Sequence, residues 1–176
     1  IIVDRRLVTD ADSGALTDGA VPGQWQLTGL TEGIIDFSLV EQLDLLLGSN
    51  SDALTLASTQ AGMAVNVFGN AGDDQVLVTA VGDATDVVGG DGIDTQTLDI
   101  DEDPAGRTEL ADRLTLDTEH LAVDNRDYAG AVAWVATRDE LRAGGNLLLR
   151  IPDVDELEVL GGDHPDNSLE VTEPED

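Results

Sequence analysis

The stretch Val65–Thr97, VNVFGNAGDDQVLVTAVGDATDVVGGDGIDTQT, limits the fold more than any other part of the chain. Short β-branched runs (VNV, VLV, DVV) alternate with turns built from Gly, Asn and Asp, at a spacing of about ten residues. An amphipathic helix places apolar residues three and four apart, whereas these come as triplets cut off by turn formers. The pattern predicts a stack of short strands, each turn bringing the chain back over the previous layer.

Composition supports a narrow β architecture. Hydrophobic residues make up 41% of the 176 and aromatics only 3%, so the core must be built from Val, Leu, Ile and Ala. Such residues suit thin layers better than a thick core of large rings. Asp and Glu number 37 against 8 basic residues, all of them Arg, for a net charge of −29. That surface repels nucleic acid and anionic membranes and makes both poor partners. It needs salt, divalent cations or an extended body to relieve its self-repulsion. There is no Cys, hence neither disulfides nor thiolate metal sites. No apolar run reaches the length of a membrane span. The chain begins at Ile1 rather than Met, which reads as a processed or excised piece of something longer.

Taken in order, Ile1–Asp4, Trp25–Leu30, Ile34–Phe37 and Val40–Leu47 read as strands, and the alternation then runs from Leu54 through Ile100. Residues 101–112 form an acidic loop containing Pro104 and Gly106, with a short helix expected around Thr108–Ala111. Arg113–Val123, Ala131–Thr137, Leu147–Ile151 and Leu157–Leu160 are further strands. Arg138–Ala143 (RDELRA) reads as a helix stopped by Gly144–Gly145, and Thr172–Asp176 as a frayed acidic tail. The whole is one elongated domain over 1–176.

An internal repeat runs through it. Val40–Leu56 matches Val154–Val171 with one extra residue in the second turn, aligning Leu43 with Leu157, Asp44 with Glu158, Gly48 with Gly162, Asp52 with Asp166 and Leu54 with Leu169. Backward, Ile1–Asp4 (IIVD) resembles Leu114–Asp117 (LTLD), and each copy carries one Trp, Trp25 or Trp134. The units are 1–56 and 113–172, flanking regular layers over 57–100.

Gly89–Thr97 (GGDGIDTQT) follows the nonapeptide GGxGxDxUx except at Gln96, where a large aliphatic is expected. Gly69–Leu77 (GNAGDDQVL) follows it with Asn70 in place of the second Gly. Gly82–Val87, Gly48–Leu54 and Gly161–Leu169 are looser relatives. These segments resemble the haemolysin-type (RTX-like) calcium-binding repeats, and the larger arrangement resembles the repeat regions of large bacterial surface proteins. The resemblance implies Ca²⁺ held between stacked turns, with Asp73, Asp74, Asp91 and Asp94 as side-chain ligands. Asn70, Gly72 and Gly92 would be turn residues of the same sites. The chemistry agrees: glycines let carbonyls turn inward and Asp adds a hard anionic oxygen. In sequence the two matching turns are separated by the poorer GDATD turn.

Other candidate chemistry is thin. His120 and His164 lie in unlike contexts, and carboxylate pairs are too common for any one to be singled out as a glycosidase pair. Asp103–Pro104 is a labile bond that reads as a turn. Trp25 and Trp134 read as caps on the ends of the layered core, with a sugar-stacking face as the alternative. The fold expected is therefore all-β, a parallel β-solenoid of the β-helix or β-roll kind with short strands, with a β-sandwich as runner-up. The expected role is a non-enzymatic, extracellular or cell-surface module for adhesion, matrix or fibre assembly, stabilised by Ca²⁺. Its expected partners are other copies of the repeat. The alternatives are a glycan-binding module and a β-helical polysaccharide-active enzyme.

Overall fold

A computed structural model describes residues 1–59, 61–152 and 154–172. Residues 173–176 of the expected acidic tail lie outside the described residues. The chain forms β1 (Ile2–Asp4), β2 (Ser13–Asp18), β3 (Trp25–Thr28), β4 (Ile35–Phe37), β5 (Gln42–Leu46) and β6 (Ala53–Leu56). Next come β7 (Ala64–Ala71), β8 (Gln75–Val78), β9 (Thr85–Asp91), β10 (Thr95–Asp99), β11 (Leu114–Asp117) and β12 (His120–Asn125). The last are β13 (Ala133–Ala136), β14 (Glu140–Ala143), β15 (Asn146–Arg150), β16 (Glu156–Gly161) and β17 (Ser168–Val171). Between β10 and β11 lie a 3₁₀ turn at Pro104–Gly106 and a single helical turn, α1 (Leu110–Arg113).

The strands fall into three sheets. The first has the order β1-β5-β7-β9-β11 and is parallel throughout. The second has the order β16-β12-β10-β8-β6-β2-β3-β4, parallel from β16 to β2 and antiparallel from β2 to β4. The third, β15-β14-β13-β17, mixes both senses. This overturns the expectation of one parallel β-solenoid along the chain. Two segments, β2–β4 and β13–β15, fold back on themselves as antiparallel meanders, and a multisheet β-sandwich fits the arrangement. The physical reason is connection length. The short links Gly19–Gln24 and Gly144–Gly145 return the chain beside the strand it has just left, and only an antiparallel pair can close over so few residues.

Between β5 and β12 successive strands alternate between the first two sheets. Their inward residues alternate with outward ones: Leu43 and Leu45, Val65 and Val67, Leu54 and Leu56, Val76 and Val78 are all buried. These aliphatics, with Leu98, Leu116, Leu121 and Val123, make one core. Gln96, the misfit of the nonapeptide, is 1% exposed and points into it. Its Nε2 donates to the carbonyls of Val87 (3.3 Å) and Asp117 (2.9 Å), tying β9 to β11 from inside.

The RDELRA segment is strand β14 and not a helix. Leu141 and Ala143 face inward while Glu140 and Arg142 share the other face and bond each other, a period of two.

The two ends of the chain have one topology. Strands β1–β6 run as a parallel β1/β5 pair, a parallel β2/β6 pair and a β2-β3-β4 meander. Strands β12–β17 repeat this as β12/β16, β13/β17 and β13-β14-β15. Single hydrogen bonds recur. Ala53 N–H donates to Asp12 O and Ser168 N–H to Val132 O; Ala57 N–H donates to Leu16 O and Thr172 N–H to Ala136 O. Arg6 grips Asp4 through its backbone and guanidinium as Arg126 grips Asp124. Each Arg holds its carboxyl below the ordinary range, down to about 2 at Asp4. The register matches Ile1–Arg6 with Leu121–Arg126, so the partner of IIVD is LAVD at Leu121–Asp124 and not LTLD at Leu114–Asp117.

Candidate cation site in the stacked glycine turns

The turns joining first-sheet strands to second-sheet strands stack on one another. Each ends in an acidic residue whose carboxylate caps the turn before it. Asp12 N–H donates to Asp52 Oδ1 (2.6 Å), Asp52 N–H to Asp74 Oδ1 (2.7 Å) and Asp74 N–H to Asp94 Oδ1 (2.8 Å). Asp94 N–H in turn donates to Glu119 Oε2 (2.9 Å). At the other end Arg5 closes the column by gripping the Asp12 carboxylate through two bonds of 2.9 Å. Asp52, Asp74 and Asp94 are all buried. A short side chain ending in a carboxyl oxygen reaches the backbone N–H of the preceding layer, which is why Asp recurs here.

The second oxygen of each carboxylate differs. In Asp52 it accepts Gly48 N–H at 2.8 Å. In Asp74 and Asp94, Oδ2 is buried and has no hydrogen-bond partner among the described residues. A Cβ on Gly69 would lie 2.1 Å from Gly89 O and 2.3 Å from Asp74 Oδ2, so two acceptor oxygens border one small space over Gly69. A Cβ on Gly89 would meet Asp94 Oδ2 at 2.2 Å. A buried carboxyl oxygen without a donor is satisfied by a proton or by a cation. Burial, reinforced by the neighbouring Asp52, Asp94 and Asp73, pushes the Asp74 carboxyl up to about 7. Burial likewise raises Asp94, with Glu119 adding repulsion.

The remaining expected ligands have other duties. Asp73 is exposed; its Oδ1 accepts Ile93 N–H (2.9 Å), and its own N–H donates to Ser51 Oγ. Asp91 contributes its carbonyl, which accepts Gly72 N–H (2.8 Å), while the residue itself is exposed. Asn70 adopts φ 75° in place of a glycine and its Nδ2 donates to Leu47 O and Phe68 O. Gly72 and Gly92 have φ 118° and 143°, and a Cβ on Gly92 would lie 2.1 Å from Gly72 O. They are the positions where the turn needs glycine. Among the described residues no three His, Asp or Glu side chains gather around one point. Over Gly69 the described residues offer one carboxylate oxygen, Asp74 Oδ2, and one backbone carbonyl, Gly89 O, fewer than the roughly six to eight oxygens that Ca²⁺ takes.

The intervening GDATD turn does not separate the two matching turns in space. It lies at the opposite end of the layer, where Gly82 N–H donates to Thr59 Oγ1 and Gly62 N–H to Asp83 Oδ2. Asn70 pairs directly with Gly90 and Ala71 with Asp91. Sequence reasoning missed that Asp12, Asp52 and Glu119 belong to the same column. The signal was present at Asp52, which follows Gly48 much as Asp74 follows Gly69.

The other candidates disperse. His120 lies 3.5 Å from Glu156, and His164 lies 4.0 Å from Asp166 on a separate turn. Trp134 is buried, and Trp25 packs against the core with its Nε1 donating to Ser58 Oγ, so the two do not form a shared sugar-stacking face. Asp103 caps the 3₁₀ turn by accepting Ala105 N–H, with Pro104 buried behind it. No protein family, curated protein or solved structure matches the chain. No helix among the described residues is long and apolar enough to cross a membrane.

Proposed function

We propose that this chain is a non-enzymatic structural module of the extracellular or cell-surface kind, used in adhesion, matrix or fibre assembly and stabilised by Ca²⁺ in its stacked glycine turns. The observation that supports it most is the pair of buried, unpartnered oxygens on Asp74 and Asp94. They sit in adjacent turns whose other polar groups are spent on holding layer to layer. A cation at each turn satisfies that turn's carboxylate oxygen and offsets part of the −29 charge. The resemblance to haemolysin-type repeats points the same way. Self-association fits a chain whose outermost strands leave ladder groups open.

Calorimetric titration with Ca²⁺, paired with melting in Ca²⁺ and in EDTA, tests the cation. Heat of binding and a higher melting temperature in Ca²⁺ are expected; no heat together with unchanged melting ends this reading. Negative-stain imaging with and without Ca²⁺ tests assembly.

A further inference from the structure

We infer that the cleft between the β12–β13 link and the β16–β17 turn is a binding site for a neutral saccharide. None of its lining residues belongs to the turns that carry Asp74 and Asp94, so it does not rest on the cation proposed there.

The cleft encloses about 410 Å³ and is lined by Arg126, Asp127, Tyr128, Asp163, His164 and Pro165 among others. Small-ligand sites span roughly 300–1,000 Å³. Its two walls meet at Gly162, where a Cβ would run into the Tyr128 carbonyl. The first copy has the same pair of turns. Val8 N–H donates to Arg5 O as Tyr128 N–H donates to Asn125 O, and a Cβ on Gly48 would lie 3.0 Å from Val8 O. There the two turns read Leu7, Val8, Thr9 and Ser49, Asn50, Ser51. Small and aliphatic residues are thus enough to close this turn pair. Nothing in its backbone calls for the phenol ring, the imidazole or the carboxylates of the second copy.

Those side chains are held in place with polar groups to spare. The Tyr128 ring packs against the core and lies where a Cβ on Gly130 would stand, so only glycine leaves it room. His164 Nδ1 accepts Asp166 N–H (3.2 Å), which puts the imidazole proton on Nε2. Arg126 spends Nε and Nη2 on Asp124 and keeps Nη1 without a partner among the described residues. Asp127 and Asp163 are exposed acceptors.

A flat ring with acceptors and N–H donors around one space suits a polyhydroxylated ligand. The apolar face of a pyranose lies on Tyr128 and Pro165. Its hydroxyls donate to Asp127 and Asp163 and accept from Arg126 and His164. An anionic ligand would meet both carboxylates on a chain of charge −29. An organic cation would leave the Arg126 and His164 N–H groups without an acceptor.

An NMR titration of the full chain in Ca²⁺-containing buffer tests this, with cellotetraose, maltotetraose and mannotetraose as neutral probes and sialyllactose and spermidine as charged ones. At least one neutral probe is expected to shift the Tyr128, Ala129 and His164 amides in a saturable way. Val8 and Thr9, in the matched turn of the first copy, should not move. Tyr128→Ala also removes core packing, so the deciding variants are the exposed Asp127→Ala and Asp163→Ala, each expected to weaken binding at least ~10-fold. No saturable shift with any neutral probe overturns the inference, and so does tighter binding of sialyllactose or spermidine. Binding that is unaltered in both variants overturns it as well, by placing the sugar elsewhere.

Discussion

The layer β5–β6 and the layer β16–β17 share strand order, hydrogen-bond pattern and much of their sequence, yet one is interior and the other is an edge. The difference lies in the next stretch of chain. After β6 the chain supplies β7–β8 and buries the aliphatics of the layer; β17 has no such neighbour among the described residues. Residue type alone does not decide burial in a layered β protein. A leucine is a core residue only when the next layer arrives.

Substitutions at the same turn position of a covered and an open layer, or at matched strand positions, put this contrast at risk, and the largest effect belongs to glycine. Gly69→Ala drives a Cβ to 2.1 Å from Gly89 O in the covered stack, whereas at Gly161 the nearest atom is the end of the Asn167 side chain at 3.3 Å. Thermal melting should show a loss above ~4 kcal/mol for Gly69→Ala and below ~1 kcal/mol for Gly161→Ala. Similar losses at both would mean that the two turns are not covered and open versions of one design.

Leucine truncation gives the next contrast. Leu54→Ala removes a side chain that is 2% exposed and is expected to cost ~2–5 kcal/mol. Leu169→Ala, at 51% exposed, is expected to cost less than ~1 kcal/mol by urea denaturation. An equal cost at Leu169 would show that β17 is already covered in solution.

A pH series in EDTA separates the columns themselves. The folded carboxyl of Asp74 is raised to about 7, above the ~3.9 expected of an unfolded Asp, so folding favours its protonated form. The stability this gives is fully present below about pH 4 and is lost as pH rises toward 7. Melting in EDTA should therefore fall by several degrees over that window, and Ca²⁺ should restore it most at the alkaline end. Asp74→Asn is expected to flatten both responses; a variant that keeps its Ca²⁺ shift would place the cation elsewhere. The smallest effect is at the matched ion pairs, where both Arg partners are exposed. Arg6→Ala and Arg126→Ala should lower the melting temperature slightly and by the same amount.

The alternation of β-branched triplets with glycine turns was legible because each element carries its own local signal: period two for the strand, positive φ for the turn. The stacked Asp74 and Asp94 were legible for the same reason. The antiparallel meanders were not, since pairing sense is set by how the short links close and leaves little mark on composition. Glu140–Ala143 has charged residues two apart, which a helix reading absorbs as readily as a strand. Sequence alignment set Asp166 against Asp52, while the structure gives that role to Asn167, because the extra residue in the turn shifts which side chain reaches the preceding layer. Gln96 looked like a defect; its place between the Val87 and Asp117 carbonyls depends on strands far apart in sequence.

The column from Asp12 to Glu119 has a direction. Each carboxylate caps the backbone of a layer earlier in the chain: Asp52 serves Asp12, Asp74 serves Asp52, Asp94 serves Asp74. A chain emerging from its N-terminus first always carries one layer whose donor awaits a residue still to come. The newest layer is thus the least settled and each arrival locks its predecessor. Loss of the Asp74 carboxylate therefore uncaps the Asp52 layer before it and leaves the bond from Asp74 N–H to Asp94 in place.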